Sequence, residues 1–128
     1  MLLAKVHDLG KVGIPDHILY KKGSLNEDEW KIMRKHTEKG HRIASASSDL
    51  QGIADLILKH HERWDGKGYP LGLKGFEIPI ECRILAVVDA FDAMTSERPY
   101  KKPKSEKRAL EELKKFTCLS GWFSGYVK

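Results

Sequence analysis

The sequence of 128 residues lacks the features that define several large classes of protein. None of its apolar runs approaches the roughly 18 residues of a membrane span, and residues 1–4 are too short for a signal-peptide core. It has only two cysteines, Cys82 and Cys118, without CxxC spacing. This scarcity excludes a disulfide framework and predicts two reduced thiols. Together these absences predict a cytoplasmic protein that does not contact a membrane.

The positive charge is concentrated in one segment. Residues 98–108 contain six basic residues and one acid, against a net charge of +5 for the whole chain. Such a segment is either a solvated face or a site that attracts phosphate-bearing partners. No zinc-finger or other nucleic-acid-binding signature accompanies it, so we do not expect a nucleic-acid polymer as a partner.

Alternating strand patterns are also missing, and apolar residues recur instead at helical spacing. A capping box at Asn26 and Glu29 predicts the start of one helix. Helices or helical turns are predicted at 2–8, 15–19, 38–46, up to His60-His61, 80–96 and 105–116. On the helix over 80–96, one face is predicted to consist of Ile84, Val87, Val88, Phe91 and Met94. The chain is therefore predicted to be one all-α domain, interrupted at 62–79 by a long glycine-rich loop of the kind that is usually functional.

Candidate metal ligands occur on four separate segments, namely His7-Asp8, His36, His60-His61 and Asp89. Two histidines at a helix end can converge on one ion, and mixed imidazole and carboxylate shells suit iron, manganese, zinc or nickel. Each segment also has a simpler interpretation. His60-His61 could be a solvated helix cap, and His7-Asp8 a helix-end charge pair. Asp89 lies among apolar residues, where an unpaired carboxylate would be costly to bury.

Three stretches make the chain recognisable. Residues 7–15 read HDLGKVGIP, residues 60–70 read HHERWDGKGYP, and residues 89–100 read DAFDAMTSERPY. In order and spacing they resemble the HD-GYP family, bacterial metal-dependent phosphodiesterases that hydrolyse the second messenger cyclic di-GMP. The resemblance implies an HD-domain-like helical bundle over residues 1–116, followed by an atypical aromatic tail at 117–128.

The resemblance also implies a metal site with two or three divalent ions, most often iron or manganese. Asp8 would bridge two ions. One ion would take Asp8, His36, His60 and His61, and the other would take His7, Asp8, Asp89 and a histidine from a helix upstream of the His-Asp pair. The chain begins only six residues before His7. We therefore expect a bundle that is incomplete at its N-terminus, with that ligand absent or supplied by a partner such as a second copy in a homodimer.

Further roles follow from the same resemblance. Lys11 would lie beside the metals and the scissile phosphate and act in catalysis with Asp8, while Arg98 and Lys101 would bind phosphate. The Gly68-Tyr69-Pro70 loop would contact substrate or a signalling partner. His17 and His41 match no ligand position and are expected on the surface.

Three functions remain open at this point. The chain could be a cyclic di-GMP phosphodiesterase yielding pGpG and GMP, or an HD phosphohydrolase for another nucleotide. It could also be a catalytically impaired module that binds cyclic di-GMP or a signalling protein. The intact motif at 63–70 argues against the second function, and only the absent upstream helix argues for the third.

Overall fold

The structure, a computed structural model, describes residues 2–97 and 101–117. These residues form α-helices, 3₁₀ helices and turns, and no strand occurs among them, which confirms the all-α prediction. The chain divides into two compact units, with the boundary between His60 and His61. Among the described helices, none is both long and apolar enough to cross a membrane.

The first unit consists of short helices. They are α1 (Leu2–Val6), α2 (Asp16–Leu19), α3 (Glu27–Arg34), α4 (His36–Ser45) and α5 (Ala54–Lys59), with 3₁₀ helices at Leu9–Gly13 and Gln51–Ile53. The predicted capping box is present, because the Asn26 side chain accepts from the Glu29 N–H and the Glu29 carboxylate accepts from the Asn26 N–H. Three acidic residues in the first turn of α3 also favour this helix start.

The second unit contains two longer helices, α6 (Ile80–Thr95) and α7 (Glu106–Thr117). Between α5 and α6 the chain forms only one 3₁₀ helix, Gly75–Glu77. α6 and α7 pack through a buried cluster of Ala90, Met94, Ala109 and Leu113, against which Val87 and Phe91 lie. This contact holds the last described helix in place.

The predicted buried face of α6 is partly wrong. Ile84 is 49% exposed and Val88 is 53% exposed, whereas Met94 is fully buried. The face that the structure buries consists of Cys82, Leu85, Ala86, Ala90, Ala93 and Met94. α6 is apolar around most of its circumference, so two different stripes satisfy the helical period. The spacing alone could not choose between them.

Candidate metal centre

Two glycines allow three segments of the first unit to pack closely, one pair through backbone and the other through a side chain. A methyl group on Gly10 would overlap the carbonyl oxygen of His36 and lie 2.5 Å from the backbone nitrogen of Gly40. A methyl group on Gly40 would lie 2.8 Å from Cγ2 of Ile57 on α5. Only residues without a Cβ allow the 3₁₀ helix Leu9–Gly13, α4 and α5 to stack at this distance. Asp8, His36 and His60 lie at the ends of these segments and are therefore brought together.

Three histidines of this unit are oriented by the same local hydrogen bond. In each, the Nδ1–H donates to the carbonyl oxygen three residues earlier, at the end of α1, α3 or α5, where the last carbonyls lack partners within the helix. The pairs are His7 with Ala4 at 2.9 Å, His36 with Met33 at 2.8 Å and His60 with Ile57 at 2.6 Å. A carbonyl can only accept, so Nδ1 carries the proton. In the neutral ring Nε2 then presents its lone pair.

Asp8 faces two different groups of side chains with its two carboxylate oxygens. Oδ1 lies 3.7 Å from Nε2 of His36 and 3.7 Å from Nε2 of His60. Oδ2 lies 3.3 Å from Nε2 of His7 and 3.2 Å from Nζ of Lys11. The rings of His7 and His36 both approach the His60 ring edge-on, with centroids 5.2 and 5.5 Å away. Asp8 is therefore at the centre of the cluster.

The protonation states of Asp8 and His36 are those of metal-binding groups. Burial raises the pKa of Asp8, but the positive charge of Lys11 beside Oδ2 lowers it, and the pKa lies below its ordinary value. Burial lowers the pKa of His36 to about 4. At neutral pH the site thus combines a carboxylate with a neutral imidazole, the forms that bind divalent metals.

With His61, the residue that follows His60, these side chains form a group that could hold an ion. Asp8, His36, His60 and His61 each offer one ligand atom, and the four atoms lie within 4.8 Å of one another. All three histidines are buried, His60 at 2% exposure and His61 at 6%. The interpretation of this pair as a solvated helix cap is therefore wrong. An anionic oxygen facing imidazole lone pairs is the environment that a cation would stabilise, so the donor set fits a divalent ion.

His7 and Asp89, the other predicted metal ligands, lie outside this group of four residues. His7 lies beside Oδ2 of Asp8 and is not one of the four residues of this group. Asp89 is half-buried on α6 in the second unit and is not one of them either. Lys11 is half-buried, with its ammonium group on the Oδ2 side of Asp8.

Several predicted positions lie on the surface or outside the described residues. Lys101 is exposed, and so is His17. Arg98 lies outside the described residues, as do residues 118–128 of the aromatic tail, including Cys118. His41 was expected on the surface, but it is half-buried, and its Nδ1–H donates to the carbonyl of Ala54 at 3.0 Å. His41 thus ties α4 to the start of α5.

The glycine-rich loop contacts one of the four clustered residues. Gly68, Tyr69 and Pro70 are half-buried, and the Tyr69 ring stacks on the His61 imidazole with centroids 5.0 Å apart and planes 13° apart. The preceding Glu62, to which the sequence assigned no role, is 5% exposed. The structural roles of Gly10, Gly40 and Glu62 were not predicted from the sequence. Of these, Gly10 and Glu62 lie inside the recognised motifs.

The sequence that forms this fold matches a known family. The family model described as HD domain matches residues 2–117, so the chain belongs to the HD domain family. The family predicted from the three motifs is thereby confirmed.

The chain is similar to curated bacterial proteins. It is 54% identical over 120 residues to a cyclic di-GMP phosphodiesterase of Thermotoga maritima, covering 92% of this chain and 32% of that protein. It is 50% identical over 102 residues to the cyclic di-GMP phosphodiesterase response regulator RpfG of Xanthomonas campestris, covering 78% and 27%. It is 47% identical over 110 residues to the 3'3'-cGAMP-specific phosphodiesterase 2 of Vibrio cholerae, covering 84% and 21%. The chain thus spans about a third or less of the length of these relatives.

Proposed function

We propose that this chain carries a metal-dependent phosphodiesterase site that hydrolyses cyclic di-GMP to linear pGpG and onward to GMP. The observation that carries the proposal is the group formed by Asp8 and three buried histidines, His36, His60 and His61, with Lys11 beside it. The names of the relatives from Thermotoga maritima and Xanthomonas campestris support the substrate. The proposal includes the cytoplasmic location and the domain limits of 1–116 that were predicted from the sequence.

The residues that would hold the metal follow from the two sides of Asp8. Oδ1 faces His36 and His60, and Oδ2 faces His7, which supports the proposal that this carboxylate would serve two ions. Asp89 remains the predicted additional ligand of the second ion. Imidazole and carboxylate donors suit iron or manganese. Ions bound there would supply Lewis-acid stabilisation of the phosphoryl oxygens and a source of nucleophilic water.

The positive side chains would then act on the phosphate itself. Lys11 places its ammonium 3.2 Å from Oδ2 of Asp8, so a phosphate that approached the cluster would meet it directly. There it would offset the negative charge that develops on the phosphoryl oxygens. Lys101 is exposed and, with Arg98, is proposed to attract the substrate phosphates. The Gly68-Tyr69-Pro70 loop remains a predicted contact for a signalling partner.

A second substrate has specific support. One relative that is 47% identical is named for the mixed cyclic dinucleotide 3'3'-cGAMP. Both compounds are cyclic dinucleotides joined by two phosphodiesters, so the same metal chemistry would serve either. The turnover rates of the two compounds, measured side by side, would show which one the chain prefers.

The test is incubation of the purified chain with each cyclic dinucleotide and Mn²⁺ or Fe²⁺, followed by chromatography for pGpG, GMP and the corresponding cGAMP products. We expect turnover that Asp8→Ala abolishes. The matched control is Asp49→Ala, which removes an exposed aspartate of the same unit and should leave turnover unchanged. Binding without turnover would instead support a regulatory module. Hydrolysis only of unrelated phosphodiesters would support a different nucleotide substrate.

A further inference from the structure

A buried carboxylate that belongs to neither the metal group nor the basic segment holds the glycine-rich loop of the second unit. Glu62 is 5% exposed. Its Oε1 accepts from the backbone N–H of Leu71 at 2.6 Å, and its Oε2 accepts from the backbone N–H of Leu73 at 2.9 Å. Hydrogen bonds to a charged acceptor are roughly twice as strong as those between neutral groups. One side chain thus fixes two backbone N–H groups in a loop that has almost no regular structure.

The segment immediately before Leu71 packs on the backbone of the histidine segment. A methyl group on Gly68 would lie 2.5 Å from both the His61 carbonyl oxygen and the Arg63 nitrogen, so only glycine fits there. The next residue, Tyr69, donates its N–H to the His61 carbonyl at 3.3 Å and stacks its ring on the His61 imidazole. The loop therefore contacts both the backbone and the ring of His61.

The two observations are connected through the chain. Leu71 is only two residues beyond Tyr69, so a carboxylate that holds Leu71 and Leu73 also limits how far the Tyr69 ring can move from His61. His61 is one of the four residues that could hold the ion. Groups that orient a metal-binding imidazole typically change metal affinity by 10- to 100-fold when they are removed.

We propose that Glu62 is a positioning residue for the metal centre, which acts by anchoring Leu71 and Leu73 so that the Tyr69 ring stays stacked on the His61 imidazole. This inference rests on the proposed metal site, and it assigns to the loop a role in metal affinity in addition to any partner contact. Glu62 itself is not one of the four residues that could hold the ion.

The first test measures Co²⁺ affinity and the visible Co²⁺ spectrum of wild type and Glu62→Gln, at a temperature where circular dichroism shows both metal-free proteins folded. Glutamine keeps the size but offers only one acceptor, so its NH₂ group faces the second backbone N–H. We expect Co²⁺ to bind at least 10-fold more weakly, with a changed spectrum. The matched control is Glu77→Gln, because Glu77 accepts from the Lys74 N–H at 3.2 Å in the same loop but is exposed. This control should bind Co²⁺ within twofold of wild type.

The second test asks whether the effect passes through Tyr69. Tyr69→Leu should weaken Co²⁺ binding about as much as Glu62→Gln, whereas Tyr69→Phe keeps the stacked ring and should bind within twofold of wild type. If the two residues act as one unit, combining Glu62→Gln with Tyr69→Leu weakens binding no further than the stronger single change. Should Glu62→Gln fail to fold, the Co²⁺ affinities of Tyr69→Leu and Tyr69→Phe still test whether the stacked ring supports metal binding, and equal affinities would overturn the inference.

The outcomes separate this inference from the proposed function. Unchanged Co²⁺ binding in Glu62→Gln, or additive effects in the double variant, would overturn the positioning role while leaving hydrolysis intact. A wild-type chain that binds Co²⁺ with the predicted variant pattern but hydrolyses no cyclic dinucleotide would overturn the function alone. A wild-type chain that binds no Co²⁺ would overturn both. If Glu62→Gln had a lower melting temperature but the same Co²⁺ affinity as wild type, the role of Glu62 would be structural only.

Discussion

Replacing Gly10 with alanine tests how the site is assembled without touching any predicted ligand. The new methyl group would overlap the carbonyl oxygen of His36 and lie 2.5 Å from the Gly40 nitrogen. An ordinary contact begins near 3.4 Å, so the 3₁₀ helix Leu9–Gly13 must move about 0.9 Å away from α4 at this point, and further at the oxygen. Both opposing groups are backbone and cannot rotate away. The displacement therefore separates Asp8 from His36.

Two losses should follow from this displacement. Overpacking of this kind costs about 1–3 kcal/mol, which for a chain of this size lowers the melting temperature by roughly 4 °C for each kcal/mol. The distances of 3.7 Å from Oδ1 of Asp8 to the two imidazole nitrogens also lengthen, so metal affinity should fall by about 10-fold or more. Thermal melting of the metal-free protein and calorimetric titration with Mn²⁺ measure the two effects separately.

The chain contains a matched control for this substitution. Gly52 lies in the 3₁₀ helix Gln51–Ile53, and a methyl group there would meet no atom within 4 Å. Gly52→Ala should change stability by no more than about 0.5 kcal/mol and leave Mn²⁺ binding unaltered. If Gly10→Ala melts and binds Mn²⁺ like Gly52→Ala, the close approach of the two backbones does not build the site, and this account of its assembly is wrong.

Three other predictions concern the charged groups of the cluster. Asp8→Ala and His60→Ala should each reduce bound metal and abolish turnover, and metal analysis that shows wild-type content in either variant would contradict their role as ligands. Lys11→Met should lower turnover by about 10²–10³-fold while bound metal stays within twofold. Lys31→Met, an exposed lysine on α3, serves as its control. The metal-free protein should lose about 3 kcal/mol as the pH falls from 6.5 towards 4, because the pKa of His36 drops from 6.5 to about 4 on folding and the unfolded chain takes up the proton first. Denaturant melts at a series of pH values would refute this if stability stayed flat across that interval in wild type, or if it fell equally in His36→Gln.

Local signals predicted the secondary structure well. The capping box at Asn26 and Glu29 marked the start of α3, and the other helices of the first unit begin or end within a few residues of their predicted limits, including α5, which ends one residue before His60. These features depend on neighbouring residues, which the sequence shows directly. The buried face of α6 was predicted only in part, because Ile84 and Val88 follow the helical period as well as Leu85 and Ala86 do. Which stripe is buried depends on what packs against it, and α7 packs against Ala90 and Met94.

The residues of the site were suggested by their motifs, but their geometry was not. Resemblance selected Asp8, His36 and His60, while their convergence depends on Gly10 and Gly40, whose importance lies in the side chains they lack. A sequence shows a glycine but not the backbone that approaches it. For the same reason Glu62 gave no signal of its own, since its two partners are backbone N–H groups nine and eleven residues away.

We propose that Asp8, His36, His60 and His61 together hold a divalent ion. Calorimetric titration of the metal-free chain with Mn²⁺ at neutral pH measures this binding, with His36→Ala and the exposed-histidine control His17→Ala titrated alongside. We expect saturable binding in wild type and His17→Ala, and at least a 10-fold loss of affinity in His36→Ala. Equal Mn²⁺ binding by all three proteins, or none in wild type, would show that these residues do not form a metal site.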